Sequence, residues 1–204
     1  MRLRRCAAAL AVVPLAASLF SAPAAAGESW PAETGSAQDS SSQSNLSQDP
    51  FQRFELRLGT FAHDSLSPER GSADINGEIL FAPFDRNAGG GTNWLIPRLH
   101  VGTTLNTAGK TSTAYAGFTW TFDVTKKIFV EAAFGGALNN GKTGTVPGHN
   151  AMGCSATFHE AASVGYRLTR ALSILATVEH SSNAGLCAQN RGLTNFGLRA
   201  AYAF

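Results

Sequence analysis

The sequence has little cysteine and lacks the usual signatures of metal, nucleotide and nucleic-acid binding. Only three of its 204 residues are cysteine, and its His, Cys, Asp and Glu residues show no metal-ligand spacing. The glycine run Gly89–Gly91 lacks the lysine and the helix that complete a phosphate-binding loop. No basic stripe with interleaved aromatic residues occurs. We therefore predict a protein that uses no metal ion, no cofactor and no nucleic acid.

The N-terminal segment has the three parts of a secretory signal peptide. Three arginines lie within residues 1–5, an apolar run covers Cys6–Phe20, and Ala24–Ala26 provides the small residues of a cleavage site. We predict cleavage before Gly27, which makes residues 1–26 the signal peptide. An uncleaved membrane anchor is the alternative, and the shortness of the apolar run disfavours it.

Without that segment the charge is close to balanced. Removing three arginines from 16 basic residues leaves 13 against 14 acidic residues. Residues 27–50 are dominated by polar side chains, show no apolar period and cannot bury enough surface to order themselves. We predict a flexible periplasmic leader over residues 27–50 and one folded domain over residues 51–204.

From Phe51 onward, apolar and polar residues alternate with a period of two, which is typical of β-strands with two different environments. In the first run, for example, Leu56 and Leu58 share one face and Glu55 and Arg57 share the other. The pattern predicts eight strands. Seven of the runs cover Arg53–His63, Ser72–Phe84, Trp94–Asn106, Ser112–Val124, Cys154–Leu168, Leu172–Ser182 and Thr194–Phe204, and the fifth begins near Ile128.

Three features favour a membrane barrel over a water-soluble sandwich, which would show the same period. The runs are roughly 10–13 residues long, against ~5–6 residues for soluble strands. Their polar face often carries full charges, as a barrel interior allows. The chain also ends with alternating apolar residues up to Phe204, which resembles the last strand of bacterial outer-membrane proteins. Since a sheet in a bilayer must be closed, we predict an all-β, eight-stranded antiparallel transmembrane β-barrel in the cell outer membrane.

Two cysteines remain after export, and both fall at the predicted exterior rim. Cys154 precedes the sixth strand, and Cys187 lies between the seventh and the eighth. An even number of cysteines in an oxidising compartment suggests a Cys154–Cys187 disulfide. Two unpaired buried thiols are the alternative.

The seventh strand places two polar residues on its lipid-facing side. Leu172, Ile174, Ala176 and Val178 share one parity, which His180 and Ser182 continue at the outer end. On a strand, residues two apart lie on one face about 6.5 Å apart. An imidazole at that spacing can act as general base for a serine hydroxyl. The alternative is that both side chains sit at the wet end of the strand.

The segment Glu179–Leu186, followed by Asn190-x-Gly192, resembles the signature of the PagL-type lipid A 3-O-deacylases, also called acyloxyacyl hydrolases. The similarity extends over the barrel, including residues 77–81 and 97–102. It implies an esterase that removes the 3-O-linked acyl chain of lipid A in lipopolysaccharide, with its site on the outer barrel wall. The implied roles are Ser182 as nucleophile, His180 as base, and Asn183 with the backbone around Ala184 and Gly185 as oxyanion stabilisers.

One position departs from the family pattern. An acidic residue that orients the histidine is expected two positions after Asn190-x-Gly192, where this chain has Thr194. A hairpin with its turn near Thr169 pairs residues whose numbers add up to about 340, which places Glu160 across from His180. We hypothesise that Glu160 orients His180. The alternative is a β-bulge that turns the Glu160 carboxylate into the barrel interior.

A non-enzymatic structural or adhesive barrel is the rival function, and the Thr194 departure is its best support. Lipopolysaccharide is the expected partner, and the sequence leaves open whether the protein also forms a homodimer. Three polar sites at the outer loops, namely His63–Asp64, Asn106 and His149, are candidates for contacts with sugar or phosphate groups, against ordinary loop polarity.

Overall fold

A computed structural model describes residues 54–82 and 96–204. The predicted signal peptide, the leader and the glycine run at 89–91 lie outside the described residues. The eight strands are β1 (Glu55–Ala62), β2 (Ala73–Leu80), β3 (Arg98–Asn106), β4 (Thr113–Asp123), β5 (Ile128–Asn139), β6 (Ala156–Arg167), β7 (Leu172–Ser182) and β8 (Leu193–Ala203).

The strands form one closed barrel, in which each strand pairs with the next and β8 pairs antiparallel with β1. The predicted eight-stranded antiparallel barrel is confirmed. The expected strand length is wrong for β1, β2 and β3, which have eight, eight and nine residues. β1 ends at Ala62, one residue before the predicted His63. No helix long and apolar enough to span a membrane occurs in the described residues.

Four connections lie at one end of the barrel, which we call the loop end. They are L1 (residues 63–72), L2 (107–112), L3 (140–155) and L4 (183–192). The short turns at 124–127 and 168–171 lie at the opposite end, the turn end.

The alternation along the strands separates an apolar outer wall from a charged interior. Leu58, for example, is exposed on the outside, whereas the neighbouring Arg57 is buried. Arg57 donates two hydrogen bonds of 2.8 and 2.9 Å to Glu131, and Arg199 contacts Glu179 at 3.2 Å. Buried charges are tolerated only when they are paired in this way. The interior of the barrel is therefore filled by ion pairs, and the parity of each strand residue decides whether it can meet lipid.

Candidate active site

His180 and Ser182 lie on the outer wall at the loop end of β7. Both side chains are half-buried, and they share a face with the exposed Ile174. The intervening Ser181 and the preceding Glu179 point into the interior and are buried. No hydrogen bond joins His180 to Ser182 in the described part of the chain, and such contacts are often loose before substrate binds. Parity therefore puts an imidazole and a hydroxyl side by side where a membrane lipid can reach them.

His180 is held from the β8 side. Its Nδ1 lies 2.8 Å from Oγ1 of Thr194, the residue directly opposite in the β7–β8 ladder. Gly192 passes beneath the imidazole ring, and a Cβ at that position would come within 2.9 Å of Cε1 of His180. Gly192 also has a φ of +73°, which favours glycine. These contacts fix the ring, with Nδ1 on the Thr194 side.

Glu160 stands on the other side of His180. The β6–β7 ladder pairs Glu160 with His180 and continues without interruption through Phe158 and Ser182. Glu160 is exposed on the outer wall, whereas His159 is buried inside, so no bulge turns the carboxylate inward. No hydrogen bond or ion pair joins Glu160 to His180 within the described ranges. Thr194, His180 and Glu160 thus form a row across three strands, with the hydrogen bond on the Thr194 side.

The Asn183 side chain organises L4. It is buried, and its Nδ2 donates to the backbone carbonyls of Met152, at 2.7 Å, and Gln189, at 2.6 Å. Its Oδ1 accepts from the N–H groups of Gly185, at 2.9 Å, and Cys187, at 3.4 Å. Both amide hydrogens are used within the protein, which gives the side chain a scaffolding role in L4. The oxyanion role that the resemblance implies for Asn183 stays a prediction.

The backbone at residues 183–185 offers one N–H group. The N–H of Asn183 donates to Oδ1 of Asn190 at 2.9 Å, and the N–H of Gly185 donates to Asn183. The N–H of Ala184 has no acceptor in the described residues. Ala184 also has a φ of +52°, an uncommon conformation for a residue with a Cβ. Such strained backbone is common where a site has to present a backbone group.

L3 and L4 are tied together beside this site. Cys154 and Cys187 form a disulfide with a Cα–Cα distance of 6.1 Å. Gly153, with a φ of +78°, packs so closely that a Cβ there would overlap the carbonyl of Gln189. The link between L3 and L4 therefore combines a covalent bond with the hydrogen bonds of Asn183.

L1 contains a buried polar cluster that the sequence analysis did not foresee. His63 and Asp64 were candidates for sugar or phosphate contacts, but both are buried. Asp64 accepts hydrogen bonds from Nδ2 of Asn150, at 2.7 Å, and from the N–H of Thr194, at 3.4 Å. Asn150 also donates to the carbonyl of Gly192 at 3.0 Å. The cluster thus holds the start of β8, from which Gly192 and Thr194 contact His180. The sequence feature that could have indicated this cluster is the group of charged residues within ten positions after the end of β1.

The same cluster contains a charged histidine. Burial alone would lower the pKa of His63, but hydrogen bonds to Asp74 and Glu69 raise it to about 9. Burial would raise the pKa of Glu69, yet His63 and the N–H groups of Asn150 and Thr111 lower it to about 2. A cation therefore lies between two carboxylates under L1 at neutral pH.

We expect L1 to loosen in strong base and in strong acid. The stabilisation from His63 is complete below its ordinary pKa of 6.5 and is lost as the pH rises through about 9. The stabilisation from Glu69 is complete above its ordinary pKa of 4.5 and is lost as the pH falls through about 2. Amide exchange at Thr111 and Asn150, corrected for intrinsic rates, should therefore accelerate between pH 7 and 10. A His63→Gln variant that kept the same alkaline step would contradict this assignment.

No group of three or more His, Cys, Asp or Glu residues is arranged to hold a metal ion within residues 54–82 and 96–204. The chemistry available at the loop end of β7 is that of a hydroxyl, an imidazole, a carboxylate and backbone N–H groups.

Comparisons with known proteins point in one direction. The family model "Lipid A 3-O-deacylase (PagL)" matches residues 73–203, well over half of the chain. The crystal structure of the outer membrane enzyme PagL is similar with a TM-score of 0.57 and 18% identity, over 74% of this chain and 99% of that one. The N-terminal β-barrel domain of Pseudomonas aeruginosa OprF has a TM-score of 0.47 and 12% identity, over 75% and 98% of the two chains. The search of curated proteins gave no match. The chain is an outer-membrane β-barrel and belongs to the PagL family of lipid A 3-O-deacylases, which are ester hydrolases.

Proposed function

We propose that this protein removes the 3-O-linked acyl chain of lipid A with Ser182 as nucleophile and His180 as general base. The observation that carries the proposal is the outward placement of both side chains at the loop end of β7. With Nδ1 of His180 engaged by Thr194, Nε2 is the nitrogen that takes the proton of the Ser182 hydroxyl. We further propose that residues 1–26 direct the chain to export.

The reaction has two halves. The Ser182 oxygen bonds to the ester carbonyl carbon, and collapse of the tetrahedral intermediate breaks the bond to the sugar oxygen, which takes the proton from His180. Water then hydrolyses the acyl-enzyme with His180 again as base, releasing a 3-hydroxy fatty acid and restoring Ser182. No cofactor takes part.

The N–H of Ala184 is our candidate for stabilising the oxyanion. It follows the nucleophile by two residues, has no internal acceptor in the described residues, and sits on backbone held by Asn183. A backbone donor fixed before the reaction begins costs no reorganisation when charge develops on the carbonyl oxygen. Gly185 is less suited, because its N–H already donates to Asn183.

In this proposal, two neighbours of His180 take the place of the acidic residue that the family pattern has at position 194. We propose that the Thr194 hydroxyl, 2.8 Å from Nδ1 of His180, accepts the Nδ1–H in the reactive tautomer, in which Nε2 is the base. Glu160, the cross-strand partner of His180, contributes its negative charge through space when the imidazole becomes an imidazolium. Directly opposite residues have Cβ atoms about 5 Å apart, close enough for such an interaction near a membrane.

We expect Glu160→Gln to lower kcat/KM about tenfold, which corresponds to the loss of about 1.4 kcal/mol of transition-state stabilisation when the negative charge is removed. Glu160→Asp keeps the charge and serves as the matched control. Undiminished turnover of Glu160→Gln would remove Glu160 from the mechanism.

Mass spectrometry of lipid A tests the activity itself. Cells that express the protein should contain lipid A lighter by one 3-hydroxy fatty acid than lipid A from cells with an empty vector. Loss of the chain from position 3 supports the proposal. Identical spectra, with the protein detected in the outer membrane, would favour the rival structural or adhesive barrel.

A further inference from the structure

A cleft of about 450 Å³ opens at the loop end, beside the proposed site. L1, L3 and L4 each contribute to it, and none of its lining residues is acidic. The lining residues are Pro68, Thr145, Val146, Pro147, Gly148, His149, Ala151, Gln189, Asn190 and Arg191. The cleft is therefore a candidate for a ligand that accepts hydrogen bonds.

Arg191 provides the positive charge of the cleft. Its backbone N–H donates to the carbonyl of Ala151 at 3.1 Å, which fixes the residue against L3. Its side chain is exposed and makes no ion pair with any described residue. A guanidinium that lines a cleft and lacks a carboxylate partner is suited to bidentate binding of a phosphate.

Asn190 links the cleft to the proposed active site. Its Oδ1 accepts the N–H of Asn183, the residue directly after Ser182, at 2.9 Å. Its Nδ2 hydrogens have no acceptor in the described residues and remain for a ligand. A group bound in the cleft would thus contact the side chain that positions the backbone next to the nucleophile.

The carboxylate nearest to the cleft is screened. Nδ1 of His149 lies 3.2 Å from Glu69, and the His149 ring lines the cleft above it. Glu69 has no exposed surface, and its other oxygen contacts His63 at 3.1 Å. A ligand in the cleft therefore meets an imidazole instead of a carboxylate.

The exposed charges of the four loops at this end have one sign. Among the residues of L1 to L4, the acidic Asp64 and Glu69 are buried. The exposed charged residues of these loops are Arg70, Lys142 and Arg191. A positive rim attracts anions from solution and from the membrane surface.

From these observations we infer that the cleft is a subsite for a phosphate group on the saccharide part of lipopolysaccharide. The inference rests on the proposed function, because lipid A carries both the ester and the phosphorylated sugar. Binding the phosphate beside L4 while the acyl chains lie along the outer wall would align the ester with Ser182. The cleft would thus favour phosphorylated over dephosphorylated substrates.

Binding to an inactive protein tests the subsite separately from catalysis. The full-length Ser182→Ala protein in detergent micelles would be titrated with bisphosphorylated lipid A, dephosphorylated lipid A and inorganic phosphate. We expect Arg191→Gln, added to this protein, to weaken binding of bisphosphorylated lipid A about tenfold, with little effect on dephosphorylated lipid A. Arg170→Gln is the matched control, because it removes one positive charge at the turn end.

The outcomes separate the two proposals. An equal effect of Arg191→Gln on both lipids, no effect, or the same loss with Arg170→Gln would overturn the subsite. Binding of inorganic phosphate as tight as that of the lipid would assign the cleft to free phosphate and also overturn it. In the active protein, Arg191→Gln should raise KM with kcat retained. If wild type shows the phosphate preference without deacylating lipid A, the subsite stands and the proposed function fails.

Discussion

Replacing Ser182 by Ala is expected to abolish deacylation of lipid A, with a fall in kcat/KM on the order of 10⁴ or more. The hydroxyl is the only group in the proposed mechanism that bonds to the acyl carbon, so no neighbour can substitute for it. Folding should be unaffected, because the side chain is half-buried on the outer wall and makes no hydrogen bond with a described residue. The measurement is release of 3-hydroxy fatty acid from lipid A by purified protein in detergent.

The adjacent Ser181 provides the matched control. It is the same residue type on the same strand, but it faces the barrel interior and is buried. Ser181→Ala should retain most of the activity, since it lies on the opposite face from His180. Turnover by Ser182→Ala within tenfold of wild type would exclude Ser182 as the nucleophile.

Replacing Asn183 by Ala is expected to disorder L4 and to lower kcat/KM by about two orders of magnitude. The change leaves the carbonyls of Met152 and Gln189 and the N–H of Gly185 without their partner. Each buried polar group left unsatisfied costs about 1–3 kcal/mol, although the Cys154–Cys187 disulfide still links the loops. Activity falls because the backbone that carries the Ala184 N–H loses its fixed position.

Proteolysis of L4 distinguishes this scaffolding role from a direct one. Asn183→Ala should be cleaved within residues 183–192 faster than wild type, with the barrel intact. Leu186→Ala is the control, since that side chain is 77% exposed in the same loop. If Asn183→Ala lost activity while its L4 resisted protease as well as wild type does, the side chain would have to act on the substrate.

Much of the barrel could be predicted because a single physical rule governs it. In a closed sheet with lipid outside, the parity of each residue determines its environment, so Arg57 inside and Ser182 outside follow from the alternation. The pairing of Glu160 with His180 follows from the shortness of the β6–β7 turn, which leaves little freedom in the register. The same rule gives no information beyond the strand ends, and the burial of Asp64 in L1 shows this.

The loop contacts could not be predicted, because they join segments that are far apart in sequence. The family resemblance suggested that Asn183 acts on the oxyanion, but its partner Met152 lies in L3, 31 residues away. The contact between Asp64 and Thr194 spans 130 residues. Whether a polar loop residue faces a ligand or another loop depends on such contacts, which follow no period.

The position of His180 and Ser182 on the outer wall also has a kinetic consequence. The substrate is itself a component of the layer that surrounds the barrel, so enzyme and substrate meet by diffusion in two dimensions. The rate should follow the mole fraction of lipid A in the membrane or micelle. It should fall when inert detergent is added while the bulk concentration of lipid A stays constant. Crowding of the bacterial surface would then limit turnover more directly than any aqueous concentration does.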